Sequence, residues 1–472
     1  MINPDKINFL HTGKNWPPKG HKERLDRYNN NKKLFLGKHS EVYLENMMER
    51  IDLDYSSNLL QISVNFPSAV SKLYSDLLFG EEPMYSAGED EEAQKWLDNF
   101  IEMNNTKTKN YKAALSQSYR GDAIYKVVME DGQAKFQVVP AQYWFPVLDR
   151  GNINKINAHV IAFTEKIDKD RKKLYVEVHQ AGRIDYRTYI LKNNEILEII
   201  ERDEELTGVN KPLIFHVPNL QIDDSLYGID DYTEADTLFA ELDIRLAQIA
   251  KILDRHSDPN MYGPQKNSTY DPTTGEENVD VGGRYFEVGP DEEPPGYLTW
   301  DARLEANFKY IDKIMKMLYI VTDTNAAAFS LFENGSVPSG SAMRRLLMRS
   351  VARTSRKRLP FDDVLPKMIK TANELERKNG IDTPELTDLK IEWNDGLPDD
   401  PAEQAEIMRK RTADKATISQ ESAIKSLDNK TGEELQSELD KMKQDAMRTA
   451  PPEPAPTVFG ETGEEEEEGT EQ

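Results

Sequence analysis

Residues 232–253 read YTEADTLFAELDIRLAQIAKIL. Tyr232, Ala235, Phe239, Leu242, Leu246, Ile249 and Leu253 recur at steps of three and four, a coiled-coil-like seam over three heptads. The spacing predicts one long helix that begins near Gly228 and ends near Pro259. A second seam follows at 304–318, LEANFKYIDKIMKML, through Leu304, Phe308, Ile311, Met315 and Leu318. Between them, residues 261–300 hold six glycines and five prolines, too many for a helix. Two long helices flanking a turn-rich excursion imply an antiparallel pair with a small subdomain at its far end. Either the two helices pack into one ordinary core, or one seam packs within the chain and the other against a copy of the protein; the polar composition favours the second.

N-terminal to this pair the period changes twice. Residues 1–50 are mixed and polar, with Asn29-Asn30-Asn31-Lys32-Lys33, and read as a loosely structured arm with one or two short helices. The stretch SSNLLQISVNFPSAVSKLYSDLLF reads as helix with a break near Pro67, stopping at Gly80 before Glu81-Glu82-Pro83. Residues 90–120 give another helical stretch, with Trp96, Leu97, Phe100 and Ile101 on one face. From 124 to about 200 the pattern is that of strands. IYKVVMEDGQAKFQVVP places two β-rich runs around Asp131-Gly132, a strong hairpin signal. INAHVIAFTEK, KLYVEVHQ, RIDYRTYIL and EILEII continue it.

C-terminal to the pair, 322–338 (TDTNAAAFSLFENGSVP) reads as a loop. The next segment, PSGSAMRRLLMRSVARTSRKRLPF (338–361), carries six arginines and one lysine between Arg344 and Arg358, with no acid. Arg345, Arg349 and Arg353 are spaced by four, with Arg356 beside them. Met343, Leu346, Leu347, Val351 and Leu359 fall largely on the other side, so the helix is amphipathic with a basic stripe. Pro360 and Pro366 are expected to kink or break it. The stripe either pairs with carboxylates or faces phosphate; in a chain this acidic, carboxylate partners are favoured. LKIEW (389–393) is a strand candidate. The segment from Pro401 to Met447 is helical, with a new start at Ser419 to Ser422. Residues 450–472 contain eight acids and no base and read as a disordered tail.

Composition narrows the function classes. The chain has 472 residues, 84 acids and 60 Lys plus Arg, for a net charge of −24. Such acidity argues against general, charge-driven adhesion to DNA. There is no cysteine, which excludes disulfides, thiolate zinc sites and cysteine nucleophiles and agrees with a reducing cytoplasm. The first residues show no signal-peptide core, and no run approaches the length that spans a bilayer, so no membrane is expected as a partner. Gly37-Lys38-His39-Ser40 lacks the order of a Walker A loop, and no dinucleotide fingerprint or nucleophile elbow occurs. The seven histidines have no metal-ligand spacing. Pairs such as Asp230/Asp231 carry no weight alone among so many acids. A nuclease built on scattered carboxylates and Mg²⁺ is the alternative from another class; a monomeric adaptor acting through its acidic tail is a third. No catalytic, metal or cofactor residue is assigned.

The order of these pieces resembles the portal protein, or head-to-tail connector, of tailed bacteriophages, in the branch common among phages of Gram-positive hosts. The likeness runs from about residue 55 to 445. It is carried by NFPSAVSKLYSDLLFGEEPMYS, LSQSYRGDAIYKVVMEDGQAKFQVVPAQYWFPVLD, FHVPNLQIDDSLYGIDDYTEADTLFAELD, VPSGSAMRRLLMRSVARTSRKRLPF, and LPDDPAEQAEIM followed by ATISQESAIKSL. The resemblance implies an α+β portal-type fold: a mainly helical stem and crown, a β-rich wing and a small α/β clip, in a ring oligomer of twelve subunits. By position, 1–54 is an N-terminal arm and 55–227 the wing. The first stem helix is 228–258, the clip 259–300 and the second stem helix 301–321. The tunnel loop is 322–338, the kinked helix and wing return 339–395, the crown 396–447, and 448–472 the acidic tail.

The same resemblance implies a channel at one capsid vertex, through which double-stranded DNA is packaged and ejected. Its partners would be the packaging terminase, major capsid and scaffold proteins, and a head-completion or tail adaptor protein. The protein would sit in the virion, and in the host cytoplasm during assembly. Tunnel-loop candidates are Asn325, Phe329, Phe332, Glu333 and Asn334. That loop has two phenylalanines and Asn-Gly but no lysine or arginine, which argues against a strong grip on DNA. Arg345, Arg349, Arg353 and Arg356 are candidates for pairing between subunits. Phe239, Leu242, Leu246, Ile249, Leu253, Phe308, Ile311, Met315 and Leu318 are the stem packing candidates.

Overall fold

The computed structural model describes residues 7–51, 62–257, 304–331, 340–394, 401–412, 418–428 and 432–449, together with Asn3 and short pieces between 261 and 297. The chain divides into two units, Met1–Leu397 and Pro398–Gln472. In the first, helices α1 (Lys22–Phe35), α2 (Ser40–Ile51) and α3 (Phe66–Phe79) lead to a short strand β1 (Met84–Ser86). Helices α4 (Glu91–Asn104) and α5 (Thr106–Arg120) follow. Strands β2 (Asp122–Glu130), β3 (Gln133–Val139), β4 (Trp144–Asp149), β5 (Asn152–Lys166), β6 (Arg171–Gln180), β7 (Arg183–Lys192), β8 (Glu195–Leu206) and β9 (Ile214–Pro218) come next.

The long helix α6 (Asp236–Ser257) precedes the short strands β10 (Met261–Tyr262), β11 (Ser268–Tyr270), β12 (Glu277–Val279) and β13 (Gly296–Tyr297). Then come α7 (Leu304–Val321), α8 (Gly340–Leu346), α9 (Met348–Lys378) and β14 (Lys390–Glu392). The second unit contains α10 (Pro401–Thr412), α11 (Gln420–Asp428) and α12 (Gly432–Thr449). Ser419 Oγ accepts from the Ser422 N–H at 3.1 Å and so caps α11.

Turn chemistry sets the sheets. Asp131 and Gly132 both take positive φ (54° and 77°), and Asn193 and Asn194 do the same (51° and 63°). These are the backbone angles a two-residue hairpin needs. The first joins β2 to β3, and β9 flanks β2 in a three-stranded sheet. The second joins β7 to β8 in an antiparallel sheet of order β4-β5-β6-β7-β8. β14, the LKIEW strand, pairs with β1.

Apolar clusters hold the first unit together, a small one around Trp144 with Tyr28, Ile124 and Ile161 among them. One gathers Leu97 and Phe100 of α4, Tyr125 and Phe136 of the small sheet, and Phe361, Leu365, Met368 and Ile369 of α9. A second joins Val70 and Tyr74 of α3 to Phe239, Leu242 and Ile244 of α6 and to Ile314 and Leu318 of α7. A third covers one face of the large sheet with Ile7, Leu10 and Trp16.

Several expectations change. Residues 7–43 are tied in rather than loose. Trp16 is buried in the sheet core, and Arg24 donates to Ala141 O (3.2 Å) and Trp144 O (2.9 Å). Arg27 bridges Asp230 (3.1 Å) and Asp236 (2.8 Å), and His39 Nδ1 lies 2.6 Å from Asp243 Oδ2. Polar composition hid this because the anchoring is by charged side chains spread through a polar sequence. Pro67 opens α3 instead of breaking it: Asn65 caps the helix, and a proline in the first turn forfeits no helical bond. α9 runs unbroken past Pro360 and Pro366, and the interruption falls at Leu347. Phe361, Val364, Leu365 and Met368 are locked in the core on either side of the second proline, which offsets the lost backbone bonds.

The seams are partly used. Phe239, Leu242, Ile249 and Leu318 are buried, and Leu246, Ile311 and Met315 pack at the margin or are half-buried. Leu253 and Phe308 stand 50% and 51% exposed, at the ends of the helices away from the core.

Candidate functional site at the arginine face of the long helix

The basic stripe of α9 meets carboxylates of its own chain. Asp323 sits in the turn that ends α7, with φ of 53°. Arg349 Nε donates to its Oδ1 at 3.0 Å, and Arg356 Nη2 to its Oδ2 at 2.8 Å. Arg353 Nη1 lies 3.8 Å from the same Oδ2. The turn is fixed by its backbone as well. Ser350 Oγ donates to Asp323 O (2.8 Å), Tyr74 OH to Thr322 O (2.6 Å), and Arg353 Nη1 to Val321 O (3.4 Å).

One helical turn further on lies a buried charge cluster. Asp231 accepts from Arg353 Nη2 (2.9 Å), Ser118 Oγ (2.5 Å) and Asn219 Nδ2 (2.9 Å), and Lys357 Nζ lies 2.8 Å from its Oδ2. Lys357 also donates to Asn219 Oδ1 at 2.7 Å. The Arg353 and Lys357 cations stand over the Tyr74 ring at 5.3 and 5.5 Å. Burial alone would raise the Asp231 carboxyl, but the adjoining Lys357 and Arg353 outweigh it and hold the group well below the usual carboxylate range. Burial pushes the Lys357 amine down to about 8 against the pull of Asp231. Arg353, whose burial works against its charge, is raised by Asp231 and Tyr74.

Local folding brings these groups together. Gly121, at the end of α5, crosses Gly228 so closely that a Cβ on Gly228 would lie 2.1 Å from Gly121 O and 2.5 Å from Asn219 N. Only glycine permits that crossing. It sets Ser118, Asn219 and Asp231 side by side, with the Asp231 N–H donating to Ser118 O at 2.9 Å. Asp230 accepts from the Tyr232 and Thr233 amides (both 2.9 Å) and turns the chain into α6. An open cleft of about 450 Å³ lies over the cluster, walled by Asp230, Asp231, Asp323, Arg353, Arg356 and Lys357 among others.

The expected residues are distributed as follows. Arg349, Arg353 and Arg356 have carboxylate partners within the chain; Arg345 lies exposed on α8. Asn325 Oδ1 accepts from the Ala327 N–H (2.9 Å) and starts a short 3-10 turn at 326–329. Phe329 packs against Phe66 (5.5 Å) and Tyr319 (6.2 Å). Phe332, Glu333 and Asn334 lie outside the described residues. Sequence reasoning gave Asp231 no weight and did not single out Asp323, Lys357 or Asn219 as site residues. No spacing marks them, since their partners stand more than a hundred positions away in several cases, and Gly228 was read only as the start of a helix.

Among the described residues, no group of three or more His, Cys, Asp or Glu could hold a metal ion. Nor is any described helix long and apolar enough to cross a membrane. What the arrangement does is mechanical: it fastens the start of the 322–338 loop, the entry to α6 and the end of α5 to one face of α9.

The family model for "Phage portal protein, SPP1 Gp6-like" matches residues 16–451. No individually curated protein matches the chain. Among solved structures, similarity extends to the neck of a native gene transfer agent (GTA) particle computed with C12 symmetry. That chain is 10% identical, with 82% of this chain and 92% of that one covered and a TM-score of 0.45. The virion of a native gene transfer agent particle gives 10% identity, 81% and 92% coverage and a TM-score of 0.46. The neck of an empty GTA particle computed with C6 symmetry gives 10%, 82%, 93% and 0.47.

Proposed function

The chain belongs to the SPP1 Gp6-like phage portal protein family, and we propose that it works as a conduit: a ring at one capsid vertex through which double-stranded DNA is packaged and ejected. The observation that carries this reading is the family match over residues 16–451, nearly the whole chain. The protein serves as a structural platform, docking first the packaging terminase and later a head-completion or tail adaptor protein. It sits among capsid and scaffold proteins in the virion, after assembly in the host cytoplasm. Twelve subunits are proposed for the ring.

Within that ring the wing is 55–227 with its return at 339–395. The stem is 228–258 and 301–321, the clip is 259–300, the tunnel loop is 322–338 and the crown is 396–447. The electrostatics suit a conduit. Each phosphate held by lysine or arginine adds salt-dependent affinity that would stall transport. A chain of net charge −24 instead repels the duplex and keeps it mobile. The arginine face of α9 then has a task other than gripping DNA. Its cations are committed to Asp231 and Asp323, and they hold the base of the tunnel loop in step with α9.

The test is incubation of the purified protein with linear duplex DNA, with and without Mg²⁺, at two salt concentrations. The conduit reading expects intact DNA and weak binding that vanishes at the higher salt. Metal-dependent cleavage would overturn it in favour of a nucleic-acid-processing enzyme.

A further inference from the structure

Helix α6 is held between two others, and its contacts place them on different sides of it. Tyr43 of α2 donates to Asp236 Oδ1 (2.6 Å), and His39, at the entry to α2, lies 2.6 Å from Asp243 Oδ2. Tyr310 of α7 donates to Glu241 Oε1 (3.2 Å), and the Arg245 cation stands over the Tyr310 ring at 5.1 Å. At about 100° per residue, Asp236 and Asp243 share one side of α6, and Glu241 lies about 200° round from Asp243. α2 and α7 therefore flank α6, and each has a face turned away from it.

Those two faces carry opposite charge. On α7, Ile314 and Leu318 are buried, and Lys309, Lys313, Lys316 and Ile320 recur on the exposed side at steps of four, three and four. On α2, Tyr43 is buried, and Glu41, Glu45 and Glu49 recur on the exposed side at steps of four. Lys309 is paired with Glu305 (2.6 Å), and Glu41 with Lys38 (3.1 Å) and Lys33 (3.5 Å). Lys313, Lys316, Glu45 and Glu49 have no ion-pair partner among the described residues. A row of like charges at this spacing weakens a helix standing alone, and a row of the opposite sign relieves it. One chain cannot bring its two rows together, because α6 lies between them.

The heights agree. α7 runs against α6: Tyr310 stands beside Glu241, and further along Arg353 donates both to Val321 O and to Asp231. α2 also runs against α6, since His39 meets Asp243 and Tyr43 meets Asp236. α2 and α7 thus point the same way. Asp236 and Glu241 are five residues apart on α6, so the height of Tyr43 falls five residues beyond Tyr310, at Met315. A second copy reached by rotation about an axis along these helices, with no shift along it, sets Lys313 level with Glu41. It brings Lys316 within one residue of Glu45, a rise of about 1.5 Å. Ile320, 62% exposed, comes level with the half-buried Met48.

We propose that neighbouring subunits join by laying the lysine face of α7 in one copy along the glutamate face of α2 in the next. The two surfaces are unlike, so repeated contacts of this kind can close into a ring. Their opposite charges select the partner and fix the register. This rests on the ring assembly proposed above and names surfaces that build it.

The test uses the absence of cysteine and leaves the lysine row intact. Ile320→Cys is combined in turn with Glu45→Cys, Met48→Cys and Glu49→Cys. Within one chain α2 and α7 are two helix-packing distances apart, about 16–20 Å, whereas a disulfide needs Cα atoms within about 7 Å. Mild oxidation should give at least one double variant that runs as a ladder of multimers on a non-reducing denaturing gel and collapses with reductant. The single variants should give no more than dimers. Rings in the unmodified protein with no ladder from any of the three pairs would overturn this interface and leave the portal reading standing. An unmodified protein that stays monomeric would overturn both.

Discussion

Lys357 Nζ lies 2.8 Å from Asp231 Oδ2, and neither side chain is more than 3% exposed. Asp231 would still keep Arg353 at 2.9 Å without Lys357, but Lys357 without Asp231 would be buried with no carboxylate paired to it. Asp231 is the point at which α5, the entry to α6 and α9 meet, so the pair fixes the relative placement of three elements.

Asp231→Asn should therefore destabilise the subunit by about 3–5 kcal/mol, the cost of stranding the buried Lys357 amine, and Lys357→Met by less, since Asp231 keeps Arg353. Urea unfolding measures it. Combining Lys357→Met with Asp231→Asn should cost less than the sum of the two single changes, as expected for directly coupled groups. Additive losses would mean that the pair does not act as a unit.

Asp323 gathers three arginines but is a different case. Arg349 and Arg356 are 66% and 56% exposed, so solvent screens much of their attraction. Asp323→Asn keeps a residue that tolerates the left-handed backbone and should cost only about 1 kcal/mol. Asp323→Val adds the strain of a β-branched side chain at positive φ, about 1–2 kcal/mol more. Equal losses for the two variants would show that the backbone at 323 is not the constraint.

Gly228→Ala should be among the most damaging single changes. The new methyl group would meet Gly121 O and Asn219 N, both backbone atoms that cannot swing aside. A loss of about 3 kcal/mol is expected from such overpacking. A thermal melt that matches the unmodified protein would refute the crossing.

His159 supplies a pH dependence. It is buried and accepts from Trp144 Nε1 at 3.2 Å. Burial, then His179 and His216, lower its pKa to about 3. Below pH 6.5 the unfolded chain takes up a proton there that the folded chain refuses, so stability falls as pH drops from 6.5 toward 3. Between pH 7 and pH 5 this amounts to about 2 kcal/mol. His159→Gln keeps an acceptor for Trp144 and cannot titrate, so urea unfolding at the two pH values should show a smaller difference in the variant.

Much of the scaffold was legible because it is locally encoded. The Asp131-Gly132 turn, the apolar seam through Phe239 and Leu242, and the Ser419 cap each depend on a few neighbouring residues. What sequence missed is long-range. Asp231 meets Arg353 across 122 positions, and Arg27 meets Asp230 across 203. No periodicity records such pairs, so the arm looked loose and the particular carboxylates that meet the arginine stripe stayed unidentified. Pro67 and Pro360 were misjudged for a related reason: their cost depends on helix position and packing, which composition does not reveal.

The most direct test of the central claim is the mass and shape of the purified protein, by native mass spectrometry with negative-stain imaging. The conduit account predicts closed rings of about twelve subunits of 54.1 kDa around a central hole. A single subunit of that mass, unchanged across salt and protein concentration, would contradict it.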